Sequence, residues 1–214
     1  MGASLSHVFW IGGGPQAGKT TLSRLLAGKY DLRVYNLDWH GMRDHSQQPS
    51  AAERAFAAMS MDERWARPTV AELLERSVQI WEDRFARVVE DLLALPTSRP
   101  IVAEGPGALP WLVADLIASA QQAIFLVPTP EHRERVAVRR WGHDQQERFP
   151  GIVDRKTGLA KVRERDWLMD ELITSACEHL GLRWERVDGS LDVDASLAML
   201  EEHFAAVLPA TVNA

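Results

Sequence analysis

Gly13-Gly14-Pro15-Gln16-Ala17-Gly18-Lys19-Thr20 sets glycines, a lysine and a hydroxyl at the spacing G-x-x-x-x-G-K-[ST]. Glycines allow successive backbone N–H groups to curl into an anion-binding nest, and a following helix adds the partial positive charge of its N-terminus. In this pattern Lys19 reaches the β- and γ-phosphates and the Thr20 hydroxyl ligates Mg²⁺. The expected phosphate contacts run from Gly13 to Thr21. The implied ligand is a nucleoside triphosphate, ATP or GTP.

Several other positions stand where a phosphate site needs help. Asp38 follows the short strand-like stretch Leu32–Leu37, beside the expected γ-phosphate, where a carboxylate could orient an acceptor hydroxyl and take its proton. It could equally be a solvated loop residue or a helix cap. Glu104 closes Ile101-Val102-Ala103, the layout of an acid that supports Mg²⁺ and its waters; contact with an acceptor or a structural role are the alternatives. Arg139-Arg140 sit at the hinge into a polar segment, 142–158, that is expected to act as a lid, where arginines neutralise transferring phosphoryl charge. Arg133 and Arg135, on the same stretch, read as a solvated face, and Arg163 and Arg165-Asp166 as supporting groups or a charged first turn. Asp188-Gly189-Ser190 either lines the adenine site or forms a turn that caps the last helix. Trp39 is a candidate for stacking on an acceptor or a packing residue.

These positions need a scaffold that brings them together. His7–Ile11, Leu32–Leu37, Ile101–Ala103, Ala123–Val127 and Leu182–Val187 read as strands. Helical patterns lie between them: one to about Ala27, stopped near Gly28; one around Ala51–Met59; and one from the capping box at Thr69–Glu72 to about Leu95. Others span Pro110–Ala120, the stretch opened by Thr129-Pro130, about Ala160–Leu180 closed by Gly181, and Val193–Val207. Alternating strands and helices imply parallel β-α units, whose ligands bind outside the carboxyl ends of the strands. Asp38, Glu104, Thr129 and Asp188 each lie just past a strand and should converge on the phosphate loop.

The 214 residues suit one domain over 1–214, and no repeat or linker divides them. A net charge of −6 argues against a nucleic-acid partner, although arginines outnumber lysines twenty to four and suit phosphate recognition. No apolar run reaches membrane-spanning length. The single Cys177 permits no internal disulfide, which fits the cytoplasm, and its helical setting suggests a buried thiol. The seven histidines show no metal-ligand spacing.

With the loop Gly13–Thr20, the strand-end Asp38, Ile101–Gly105, Arg139-Arg140 and Val187–Ser190 in place, the chain resembles the small P-loop kinases. That group includes adenylate, shikimate and gluconate kinases, chloramphenicol phosphotransferase and zeta-toxin-like enzymes. The resemblance implies a five-stranded parallel sheet in the order 2-3-1-4-5 flanked by helices, an ATP–Mg²⁺ donor and a closing lid. Asp38 matches the acceptor-activating aspartate of the chloramphenicol phosphotransferase type. Aspartate is common where Glu104 stands. Residues 39–96 form an insertion that should supply acceptor-binding helices, without a recognisable acceptor signature. The expected activity is phosphotransfer to a hydroxyl of a metabolite, sugar, nucleoside or antibiotic. A polynucleotide 5′-hydroxyl kinase and a non-catalytic nucleotide switch are the alternatives. Oligomeric state is not encoded in any pattern found.

Overall fold

Five parallel strands carry the chain, and their order, β2-β3-β1-β4-β5, is the one the resemblance implied. They are β1 (Val8–Gly13), β2 (Arg33–Asn36), β3 (Ile101–Glu104), β4 (Ala123–Pro128) and β5 (Arg183–Val187). The computed structural model describes residues 5–143, 145 and 148–211. The central strands β1, β3 and β4 are buried along their whole length, as strands covered on both faces must be. Side chains alternate between the two faces of the sheet. Val8 and Trp10 pack on one side with Phe85, Phe125, Met169 and Ile173. Phe9 and Ile11 pack on the other with Leu22, Leu26, Leu200 and Phe204.

The first face is covered by α5 (Val70–Ala94) and α8 (Arg155–Leu180), the second by α1 (Lys19–Tyr30) and α9 (Val193–Phe204). Thr69 caps α5 by accepting from the Glu72 N–H, while Glu72 returns a bond to the Thr69 backbone. Between β2 and β3 the insertion also holds α2 (Leu37–Arg43), α3 (Ala51–Ala58) and α4 (Met61–Trp65). Ser50 and Ser60 form capping boxes with Glu53 and Glu63. After β3 comes α6 (Pro110–Val113), and after β4 comes α7 (Pro130–Trp141), capped by Thr129 with Pro130 in its first turn.

Several boundaries differ from the sequence reading. The first helix passes through Gly28 to Tyr30, because Asp31 and not glycine takes the left-handed conformation that ends it (φ 50°). The Pro110 helix is α-helical only to Val113. It tightens into a 3-10 turn over Ala114–Leu116, and Ile117 is already extended. Helix α8 starts at Arg155, where the Asp154 side chain accepts from the Thr157 N–H, so residues 155–158 of the expected lid are its first turn. The last helix stops at Phe204, short of Val207. Cys177 is buried as expected, and burial pushes its thiol up to about 12. Among the described residues, no helix is long and apolar enough to cross a membrane.

Candidate functional site

Strand β1 ends at Gly13, whose φ of 110° is open to glycine and whose Cβ, if it had one, would overlap the Leu126 carbonyl. From there Gly14 N–H donates to Leu126 O at 2.9 Å, fixing the loop to β4. The loop returns through Gln16 and Gly18, both at positive φ, into α1. No side chain caps the N-terminus of α1 and no acid lies in its first turn. The end of a helix left in this state favours an anion. The Lys19 ammonium is buried and donates to the loop's own carbonyls, Gly13 O at 3.1 Å and Gly14 O at 2.7 Å. Burial lowers its pKa, while Glu104, Asp38 and Asp170 favour its charge and Arg133 opposes it.

Parallel register brings the second group together. Glu104 lies opposite Ile11 on β1 and Asn36 on β2, at the carboxyl edge of the sheet. Its Oε1 accepts from the Thr20 hydroxyl at 2.9 Å and also from the Asn36 amide. Glu104 is 1% exposed, and burial raises its pKa with Asp38 adding to the effect; Thr20, Lys19 and Asn36 pull it down. A hydroxyl and a carboxylate joined in this way are hard oxygen donors suited to Mg²⁺, which takes one or two protein oxygens and completes its shell with phosphates and water. Among the described residues no cluster of three or more His, Cys, Asp or Glu could hold an ion without a ligand. Thr20 and Glu104 are the pair whose donor chemistry fits Mg²⁺.

The Asn36 side chain does a second job. Its Oδ1 accepts from the Trp39 N–H at 2.7 Å and caps α2, so Asp38 stands in the first turn of that helix. Asp38 opens onto the cleft, yet the surrounding protein desolvates its carboxyl and raises its pKa; Lys19 and Arg84 act in the opposite direction. Trp39 is 57% exposed and has the Arg43 guanidinium 4.5 Å over its ring.

One cleft of about 450 Å³ is lined by loop residues Pro15–Thr21, Asp38, Glu104, Arg139, Arg140 and Gly189, while Gly13, Gly14 and Trp39 are not in its lining. Arg139 and Arg140 form the last turn of α7 and are exposed there, and Arg140 lies 4.7 Å over the Trp141 ring. The far wall is built by Val187, Gly189, Leu191 and His132. Asp188 and Ser190 do not line this wall. Their side chains bond each other, Asp188 Oδ1 accepting from the Ser190 N–H at 2.8 Å and hydroxyl at 2.6 Å. Of the expected segment 142–158, Asp144, Gln146 and Glu147 lie outside the described residues. Phe149 and Ile152 are buried in a small cluster with Leu159, Val162 and Trp65.

Arg133 is the clearest departure from the sequence reading. It is not a solvated residue but 6% exposed, paired with Asp170 of α8 beneath the loop, while Arg135 is exposed as expected. Arg133 Nε also approaches Pro15 O at 3.4 Å. A Cβ on Gly14 would overlap Asp170 Oδ1 and lie 2.8 Å from Pro128 Cδ, so this pair presses directly on the loop. Arg165 is likewise buried, bonded to Asp166 at 2.7 Å and to the Ser77 hydroxyl. The signal available in the sequence was periodicity: Asp166 and Asp170 fall on the same stripe of α8 as Val162, Met169, Ile173 and Cys177.

The sheet order and the glycine loop between β1 and α1 give the five-stranded parallel α/β fold that the resemblance to the small P-loop kinases implied. No family model and no curated protein sequence matches the chain. Among solved structures it is similar to thymidylate kinase from Candida albicans, at 13% identity over 96% of each chain with a TM-score of 0.48. It is also similar to shikimate kinase from Acinetobacter baumannii in complex with shikimate, at 16% identity over 94% of this chain and 95% of that one, TM-score 0.47. A third is shikimate kinase from Bacteroides thetaiotaomicron, at 20% identity over 91% and 96%, TM-score 0.45.

Proposed function

We propose that this chain is an ATP- and Mg²⁺-dependent phosphotransferase acting on a hydroxyl of a small molecule in the cytoplasm. The observation that carries the reading is the meeting of Lys19, Thr20, Asp38, Glu104, Arg139 and Arg140 around one cleft. Such a set answers the needs of phosphoryl transfer, in which positioning and charge neutralisation dominate. With nucleotide bound, Lys19 exchanges its loop carbonyls for β- and γ-phosphate oxygens. Mg²⁺, held by Thr20 and supported by Glu104, would neutralise phosphate charge. Gly189, Leu191 and the Val187 end of β5 line the side of the cleft assigned to the base.

Asp38 then receives the acceptor hydroxyl. Its raised pKa brings a carboxylate nearer to working pH, which improves it as a base. The acceptor oxygen forms a bond to the γ-phosphorus, the bond from that phosphorus to its bridging oxygen breaks, and the electron pair leaves on ADP. The hydroxyl proton passes to Asp38. Arg139 and Arg140 stand at the open side, next to the segment before α8, which we assign as the lid.

Screening ATP consumption against a panel of hydroxylated small molecules tests the reading, with single-stranded oligonucleotide as a separate arm. Stimulation by one small-molecule class is the expected result. Stimulation by the oligonucleotide alone would replace the assignment with a polynucleotide kinase, and no stimulation by either would leave a nucleotide-binding switch.

A further inference from the structure

A second cavity, of about 530 Å³, lies within the insertion between α3, α4, α5 and α8. Its walls combine two chemistries. Phe56, Trp65, Leu73, Ile80 and Trp81 supply flat and aliphatic surface. Arg54, Arg64, Arg76, Arg84 and Arg165 supply five guanidiniums, against one lining carboxylate, Glu53.

That carboxylate does not balance the set. Glu53 is 7% exposed and already engaged by Arg84 Nε at 2.5 Å, by Arg87 at 2.8 Å and by the Ser50 N–H at 2.7 Å. Arg165 has Asp166. Among the described residues Arg64 and Arg76 have no carboxylate within ion-pair distance. Arg64 donates to Ala57 O, Arg76 donates to Arg64 O and to the Met59 sulfur, and both lie over the Phe56 ring at 4.9 and 5.2 Å. Among the described residues, the Nε groups of Arg64 and Arg165 are buried without a hydrogen-bond partner. Burial holds Arg76 below its ordinary pKa; Glu72 favours its charge, while Arg165 and Arg64 oppose it. Like charges gathered in a half-buried cavity carry a repulsion that an anion between them would remove, and arginine is the side chain that grips planar oxyanions through paired N–H groups.

Two residues in the wall of this cavity reach toward the elements of the first cleft. Arg84 acts electrostatically on Asp38, and its guanidinium passes Gly41 on the same helix, α2, that bears Asp38. Trp81 packs under Gly107, three residues past Glu104, where an added Cβ would meet its ring at 3.3 Å.

We propose that this cavity is the acceptor subsite and that it takes a small acid: a carboxylate or phosphomonoester on a flat, largely apolar body, with a hydroxyl directed toward Asp38. The volume falls within the roughly 300–1,000 Å³ of small-molecule pockets. Arg64 and Arg76 grip the oxyanion, and Phe56, Trp65 and Trp81 cover the body. The proposal rests on the phosphotransferase reading for its acceptor role, though not for anion binding itself.

The test uses benzoate, phenyl phosphate and neutral benzyl alcohol as probes, titrated against tryptophan fluorescence of the full chain and checked by calorimetry. Saturable binding of at least one anion, weakened tenfold or more in Arg64→Gln and in Arg76→Gln, is expected, with benzyl alcohol at least tenfold weaker. The tighter of the two anions identifies the headgroup. Arg76→Lys, which keeps the charge, should restore part of the affinity and guards against a folding defect. Lys19→Ala should leave anion binding unchanged; loss there instead would move the anion to the phosphate loop and overturn the proposal. Equal binding of all three probes, or anion binding indifferent to both glutamine variants, overturns it too. ATP consumption with 4-(hydroxymethyl)benzoate separates the two readings. Anion binding without turnover by any hydroxylated acid sinks the acceptor role and leaves the anion site, whereas turnover of neutral alcohols without anion binding sinks the site and leaves the transferase.

Discussion

Arg133→Met removes one member of an ion pair whose side chains are 7% and 6% exposed, and its effect on stability should depend on pH. Burial pushes the Asp170 carboxyl up to about 6 from 3.8, Asp166 adds to the shift, and Arg133 and Lys19 hold it back. The native chain therefore binds this proton more tightly than the unfolded chain. Stability from this group is fully present below 3.8, declines by up to about 1.4 kcal/mol per pH unit, and levels off above about 6. Without Arg133 the folded pKa moves higher, so in the variant the decline continues past that point. The gap between parent and variant should widen above about pH 6, by up to about 1.4 kcal/mol per unit. That growth carries the gap toward the roughly 3–5 kcal/mol seen when a buried pair is broken from one side. Urea unfolding followed by tryptophan fluorescence at several pH values measures it. A gap that stays constant across this range would refute the reasoning. So would a double variant, Arg133→Met with Asp170→Asn, whose pH dependence matched that of Arg133→Met alone.

Gly14→Ala should cost about 1–3 kcal/mol by overpacking against Asp170 and Pro128, read as a lower unfolding midpoint; an unchanged midpoint would mean the pair moves aside freely. Lys19→Ala should weaken ATP–Mg²⁺ binding by roughly 1.5–3 kcal/mol in calorimetric titration, the worth of a charge-assisted bond, and equal affinity would show that the loop does not hold the triphosphate. Asp38→Asn should lower kcat by about 10²–10⁴-fold with ATP affinity retained, and in the parent enzyme kcat should fall as pH drops through the raised Asp38 pKa. Near-normal kcat in this variant would reduce Asp38 to a residue of the α2 first turn.

The strands and the phosphate loop were legible because each is written in contiguous residues: runs of strand length, a glycine spacing, and caps such as Thr69 and Thr129; the order of the strands followed only from the resemblance. Glu104 was legible for the same reason, as an acid closing the buried run Ile101–Ala103. What escaped was assembled from distant segments. Asn36 joins Glu104 to α2 only because β2 and β3 pair in that register. Arg133 looked like one charge on a charged helix, and its burial follows from Asp170, 37 positions away. The arginines of the second cavity come from α3, α4, α5 and α8, and no single window of sequence displays them. Helix ends were missed where a residue other than glycine took the left-handed turn, as Asp31 does.

The doubly engaged amide of Asn36 also bears on how such a chain can diversify. Its nitrogen must donate to Glu104 while its oxygen accepts from Trp39, so a replacement has to offer both polarities at one reach. Aspartate would set a second carboxylate against Glu104, serine is too short to span both partners, and leucine would leave both unmet. Each of these changes at the strand end would therefore break one or both bonds. By contrast, Arg54, Arg64 and Arg76 are tied to no element of the sheet, and their exchange would alter what the insertion accepts without touching the groups around the phosphate loop. Under the proposed reading, the groups around the phosphate loop and the groups that would choose the ligand are held by separate sets of contacts, so the second set can change while the first is kept.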